Sequence, residues 1–313
     1  MATIRAALVD PNVNGKLALS TIEAPTPRPD EAFVRVHAIS LNRGECNRAQ
    51  NAPAGTLLGW DFSGIVDQAA ANGSGPKAGE RVVGVLNPGA WAELVAVPAT
   101  HLAVLPDDVT FAQAATLPVA GLTALYALDR ANGLSGRNVL VTGASGGVGN
   151  FAIQIAKHGG ATVTGLVRQE RHAQSAKDAG ADHVVADETG EAVREFGPYG
   201  VILESVGGQV LGNTISMIGP FGLMVVYGVS MGGQMTLDSS VFLRSRGSVS
   251  GLGVFVEMLR ETPGVGLSRL ASMVASGVVK PLISVEAPWD QIGDVTRGLL
   301  DRSYPGKAVL TVS

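Results

Sequence analysis

Cysteine is almost absent from this chain. Cys46 stands alone among 313 residues, which excludes an intramolecular disulfide framework and any metal site built from several thiolates. Charge is sparse too. Acidic and basic side chains make up 16% of the residues, and a net charge of −4 leaves no electrostatic footprint for nucleic acid. No run of about 18 apolar residues occurs, so no membrane span is expected. The stretch from Ser205 to Leu237 carries no charge, but eight glycines, Pro220 and several amides interrupt it. It reads as a buried strand–helix–strand unit. Met1 to Asp10 contains Arg5 and Asp10 and lacks the apolar core of a secretory leader. These absences imply a soluble, cytoplasmic protein with neither nucleic acid nor membrane as a partner.

Glycine, by contrast, is plentiful at 41 residues, roughly twice ordinary usage. It is spread over turns between apolar runs, as tight strand–helix junctions require. The densest cluster is Gly143-Ala144-Ser145-Gly146-Gly147-Val148-Gly149, which follows the apolar run Asn138-Val139-Leu140-Val141-Thr142. Val148, Phe151, Ala152, Ile155 and Ala156 then recur at helical spacing, and Gly159-Gly160 ends the segment. Strand, glycine turn and helix in that order form a phosphate cradle. The glycines let backbone approach a pyrophosphate, and the helix N-terminus offers N–H groups and the positive end of its dipole.

Two domains are expected. Residues 1–112 read as β-rich, with short alternating segments such as Phe33–Ala38 and Gly64–Val66 divided by proline and glycine. Residues 253–313 are assigned to the same domain through a C-terminal strand, Lys307 to Val312. Residues 113–252 open on a helix-like stretch, Phe111 to Leu128, and continue as alternating strands and helices. Apolar runs at 138–142, 161–167, 183–186, 200–204, 223–227 and 248–252 predict six parallel strands covered on both faces, a doubly wound dinucleotide fold. Helices are expected near 254–261 and 266–276, with a strand at Pro281 to Val285.

Six landmarks in order resemble the medium-chain dehydrogenase/reductase superfamily, in its zinc-free quinone oxidoreductase (zeta-crystallin-like) branch. They are Pro25 to Ser40 leading to Asn42; Gly59-Trp60-Asp61-Phe62-Ser63-Gly64; Gly79-Glu80-Arg81-Val82; Leu117-Pro118-Val119-Ala120-Gly121-Leu122-Thr123-Ala124; the glycine turn at 143–149; and Glu204-Ser205-Val206-Gly207-Gly208. The resemblance implies a GroES-like β-rich domain beside a Rossmann domain, a homodimer formed through the edge strand near 248–252, and hydride transfer. Two departures stand out: Arg43 replaces a proline common after the family asparagine, which alters the local substrate wall, and Glu204 replaces an aspartate.

The alcohol dehydrogenase branch of that superfamily ligates zinc at positions that here read Asn42, Trp60 and Val119. Amide, indole and isopropyl groups are not competent ligands, so no metal is expected. Without a Lewis acid, hydride delivery suits an acceptor that is already electrophilic, a quinone or α,β-unsaturated carbonyl. Asn42 is the candidate catalytic residue, donating its amide to the acceptor oxygen or orienting the nicotinamide ribose; the alternative is a turn-forming asparagine.

Cofactor choice is read at the end of the second strand. An NAD site places an acid there, whereas this chain has Leu166-Val167-Arg168, followed by Arg171 and His172. A guanidinium there pairs with a 2′-phosphate and favours NADPH. The alternative is a solvated helix start, with Glu170 neutralising a neighbour. Ser145, Gly146, Gly147 and Val148 are expected at the pyrophosphate, and Ser205, Val206, Gly228, Val229, Leu252 and Gly253 beside the ribose–nicotinamide half. The resemblance adds Thr123 and Lys307; packing and a surface-strand lysine are the alternatives. Glu45 and Tyr126 read as structural, and His37, His101, His158, His172 and His183 show no metal spacing. The expected function is NADPH-dependent reduction of quinones or enones. The rivals are an enoyl-thioester reductase of the same fold and a non-catalytic NADPH-binding protein.

Overall fold

Alternating apolar positions in the first hundred residues produce strands, and the computed structural model, which describes residues 2–312, assembles them into two sheets. Thr3–Val9 pairs antiparallel with Leu17–Glu23. A seven-stranded sheet runs in the order Ile283–Pro288, Lys307–Thr311, Glu31–Ser40, Asp61–Gln68, Arg81–Val85, Leu102–Val104, with Leu94–Pro98 also pairing on Glu31–Ser40. The C-terminal strand thus returns to the N-terminal sheet, placing Val309 opposite Ser40. Trp91, Trp289, Phe62, Ile39 and Leu58 lie in the core of this unit. The unit comprises Met1–Leu122, Met258–Gly277 and Pro281–Ser313.

The second unit, Thr123–Glu257 with Val278–Lys280, is built on a six-stranded parallel sheet. Its strands, in chain order, are Asn138–Thr142, Thr162–Val167, His183–Ala186, Tyr199–Glu204, Ile218–Val226 and Ser248–Gly251. Their spatial order is 3-2-1-4-5-6, that of a complete dinucleotide-binding fold. Helix Gly147–His158 follows the first strand and buries Phe151, Ala152 and Ile155.

Several elements differ from expectation for physical reasons. The stretch 111–128 is three pieces: helix Phe111–Ala115, a wide π-type turn Leu117–Gly121, and helix Leu122–Asp129. Pro118 lacks the N–H that would continue the regular ladder. The first unit also extends past residue 112, to Leu122: beyond Phe111, which stacks on His37, the Val119 N–H is bonded to Asp61 of the sheet. Helix Val254–Glu257 is shorter than expected, and the next begins at Pro263. Proline there holds Thr262 extended.

The uncharged stretch is buried only in part. After helix Gly208–Ile215 and strand Ile218–Val226, the chain from Val229 to Thr236 is an exposed irregular strap, not a second strand. Backbone holds it to the helix start: Met231 N–H donates to Val206 O (2.7 Å), and Gly208 N–H to Gly232 O (3.0 Å). A Cβ on Gly212 would lie 2.7 Å from Thr236 O, so that approach requires glycine. Among the described residues no helix is long and apolar enough to cross a membrane.

Candidate functional site

In the first unit, the pairing of Ser40 with Asp61 and of Val309 with Ser40 brings three distant segments to one point. Asp61 is fully buried and accepts four hydrogen bonds. Ser40 Oγ (2.8 Å), Asn42 Nδ2 (2.7 Å) and Lys307 Nζ (3.1 Å) reach Oδ2, and the Val119 N–H reaches Oδ1 (3.0 Å). Lys307 also donates to Leu41 O (2.9 Å) and Asn42 Oδ1 (2.6 Å), which engages all three ammonium hydrogens. It is 3% exposed, so the surface-strand alternative does not hold.

Asn42 caps helix Arg43–Ala49, with Glu45 completing a capping box. Its amide orientation is fixed by chemistry: Lys307 only donates, so it faces Oδ1, and carboxyl oxygens of Glu45 and Asp61 receive Nδ2. Both amide hydrogens are therefore engaged. Donation from Asn42 to an acceptor oxygen would break one of these bonds.

Glu45 is fully buried, and its Oε2 has no hydrogen-bond partner among the described residues. Burial, reinforced by the Asp61 carboxylate, raises its pKa well above the usual carboxylate range. Burial also pushes the Cys46 thiol up; it packs near Thr296 Oγ1 (3.9 Å) as an inert side chain. Arg43 donates to the carbonyls of Leu299 (2.6 Å) and Leu300 (3.2 Å), capping the C-terminus of helix Ile292–Leu300. Trp60 Nε1 donates to Asn87 Oδ1 (3.0 Å). The Asn42 amide and the Val119 N–H thus meet at Asp61, while Trp60 bonds Asn87 instead, and among the described residues no His, Cys, Asp or Glu group is arranged to hold a metal.

In the second unit the cradle is built by close approach. A Cβ on Gly149 would sit 2.5 Å from Gly143 O and 2.8 Å from Ala144 Cα, and one on Gly143 would sit 2.6 Å from Ser205 Oγ. Gly143 has φ +62°, a left-handed value natural to glycine. Gly146 caps helix Gly147–His158 without any side-chain bond, so the first-turn N–H groups at Gly147 and Val148 face no capping side chain. These features fit a dinucleotide pyrophosphate.

Ser145, Gly146, Arg168, Ser205, Gly228 and Leu252 follow the carboxyl ends of five neighbouring strands, Ser145 and Gly146 at the start of helix Gly147–His158. Ser205 ties them together: its N–H meets Thr142 Oγ1 (2.9 Å), its Oγ donates to Thr142 O (3.1 Å), and a Cβ on Gly228 would lie 2.9 Å from its carbonyl. Glu204, fully buried, accepts from Thr142 Oγ1, Val206 N and Gly207 N and so shapes the next turn; burial raises its pKa. Val206 enters that turn, Val229 begins the exposed strap, and Gly253 precedes helix Val254–Glu257. Thr123 is buried in helix Leu122–Asp129.

Arg168 is half-buried and Arg171 exposed, and neither forms an ion pair with Glu170 among the described residues. Arg171 Nε donates to His172 Nε2 (3.2 Å). Burial, then Arg171 and Arg168, lower the His172 pKa, which marks a local concentration of positive charge.

Two family descriptions match the chain: "Alcohol dehydrogenase GroES-like domain" over residues 28–107 and "Zinc-binding dehydrogenase" over residues 147–268. The human synaptic vesicle membrane protein VAT-1 homolog is 27% identical, over 94% of this chain and 82% of that protein. The 2-methylene-furan-3-one reductase of Solanum lycopersicum is 28% identical, over 93% of this chain and 74% of that protein. The quinone oxidoreductase structure from Coxiella burnetii superposes with a TM-score of 0.85 at 25% identity, covering 100% of both chains. With its GroES-like sheet, its 3-2-1-4-5-6 parallel sheet and these relatives, the chain belongs to the medium-chain dehydrogenase/reductase superfamily, in the quinone oxidoreductase branch.

Proposed function

We propose that this oxidoreductase transfers hydride from NADPH to quinones or α,β-unsaturated carbonyls without zinc. The observation that carries the reading is the residue set at the positions where a zinc site would need thiolate or imidazole: an amide at Asn42, an indole at Trp60 and an aliphatic side chain at Val119, with Asn42 and the Val119 N–H committed to Asp61. Bound NADPH would supply the hydride. Gly143, Gly146 and the first turn of helix Gly147–His158 would hold its pyrophosphate, and Arg168 with Arg171 its 2′-phosphate. The absence of an acid after strand Thr162–Val167 supports NADPH over NADH.

Asn42 is rigidly held by Lys307, Asp61 and Glu45. Such fixed geometry favours productive alignment of donor and acceptor. The names of the reductase and quinone oxidoreductase relatives agree with this acceptor class.

Consumption of NADPH with 1,4-benzoquinone, a crotonyl thioester and an alkenal panel tests the reading. Turnover of quinones or alkenals is the expected result. Turnover of the thioester alone would assign an enoyl-thioester reductase, and tight NADPH binding without turnover a binding protein. The proposal extends to a cytoplasmic homodimer joined at the edge strand Ser248–Gly251, checked by size exclusion with light scattering.

A further inference from the structure

Trp60 stands apart from the other tryptophans. Trp91 and Trp289 are 0% and 1% exposed, deep in the core, whereas Trp60 keeps part of its surface accessible. Its ring is nevertheless fixed at two places. The indole Nε1–H donates to Asn87 Oδ1 at 3.0 Å. On the benzo edge, a Cβ on Gly44 would lie 2.8 Å from Cη2 and 3.1 Å from Cζ3, so a residue without a side chain is what lets the ring lie against the start of helix Arg43–Ala49.

The ring is also anchored next to the polar cluster. The following residue is Asp61, bonded to Asn42, and Gly44 lies two positions after Asn42. An accessible, immobilised, electron-rich ring beside the proposed acceptor site is arranged to bind a flat partner. An electron-poor ring stacks on indole in the offset geometry that aromatic pairs prefer. Little side-chain freedom is left to lose on binding, because Asn87 and Gly44 have already fixed the ring.

We infer that Trp60 is the stacking platform for a planar quinone ring and the residue that selects such acceptors over aliphatic enones. The inference rests on the reductase reading above and narrows its substrate class.

Equilibrium dialysis of menadione against the intact protein without NADPH tests it free of turnover, with 3-penten-2-one as the non-aromatic comparison. Trp60→Leu is expected to lower the ratio of menadione to 3-penten-2-one affinity by about two- to tenfold, the worth of one aromatic pair. Trp60→Phe, which keeps a smaller ring, should lower it less, and Asn87→Ala, which frees the indole, should lower it in the same direction. Circular dichroism confirms that each variant is folded. Unchanged menadione affinity in Trp60→Leu, or no saturable binding to the wild type, overturns the inference. If menadione binds through Trp60 but is not reduced with NADPH, the reductase reading fails and the stacking site stands. If it is reduced while Trp60→Leu binds it as tightly as the wild type, the stacking site fails alone.

Discussion

Lys307 Nζ and Asp61 Oδ2 form an ion pair of 3.1 Å whose side chains are 4% and 0% exposed. A buried pair of this kind adds little against an apolar pair, yet breaking it from one side leaves an uncompensated charge. Asp61→Asn is therefore expected to destabilise the first unit by about 3–5 kcal/mol. Lys307→Met should cost less, since Ser40, Asn42 and the Val119 N–H still satisfy the carboxylate. The double variant should lose less than the sum. Denaturation followed through Trp91 and Trp289, which share that core, measures the cycle; strictly additive losses would show the two groups to be uncoupled.

Glu45 supplies a pH signature. Its folded-state pKa lies well above the ordinary 4.5, so the folded chain holds a proton that the unfolded chain releases. The associated stability is complete below pH 4.5 and is lost as pH rises toward the raised folded value. Glu45→Gln keeps the capping geometry without that proton. Between pH 5 and 8 the wild-type Tm should fall relative to that of Glu45→Gln. Parallel pH profiles would mean that Glu45 titrates in its ordinary range.

Arg168 and His172 should control the choice and pH dependence of cofactor. Arg168→Ala is expected to weaken NADPH by about 10- to 100-fold, the worth of a charge-assisted bond or two, and to leave NADH far less affected. His172 is held below its ordinary 6.5 by burial and by Arg171 and Arg168, so it is neutral near pH 7. A 2′-phosphate offsets that positive field and favours its protonation. NADPH affinity should strengthen from pH 7.5 to 6, and His172→Gln should flatten the trend; calorimetry in buffers of different ionisation heat reads the proton uptake. Equal loss of both cofactors in Arg168→Ala would remove the 2′-phosphate assignment.

Most of the parallel sheet was legible in the sequence because each of its strands is a near-continuous apolar run bounded by turns. Asn138–Thr142 and His183–Ala186 coincide with their runs. Asn42 with Glu45 three positions on is a local pattern too, but on the sequence it reads only as a turn-forming asparagine and a structural glutamate, and the capping box is a finding of the structure. The Asp61 cluster is of another kind. Ser40, Asp61 and Lys307 meet only through the registers of three strands separated by up to 267 residues, and no local periodicity encodes those registers. Nor does a charge-free composition tell a buried segment from the exposed strap at 229–236, whose position depends on backbone bonds to the helix beneath it.

The phosphate cradle depends on Gly149 in a way that one methyl group can test. At this position the added Cβ would meet backbone, Gly143 O at 2.5 Å and Ala144 Cα at 2.8 Å, and not the tip of a side chain that could turn aside. Relief requires helix Gly147–His158 to move away from the turn that follows strand Asn138–Thr142. Overpacking of this kind costs about 1–3 kcal/mol. The same movement displaces the first-turn N–H groups from the pyrophosphate position, so affinity should fall for NADPH and NADH alike, unlike the selective loss expected of Arg168→Ala. Gly159→Ala is the control: its Cβ would meet Leu134 Cδ1 at 2.9 Å and Cβ at 3.0 Å, a side chain at the far end of the same helix. Any loss of stability there should leave the ratio of bound NADPH to folded protein intact. A Gly149→Ala variant that binds both dinucleotides at wild-type strength would place the pyrophosphate elsewhere.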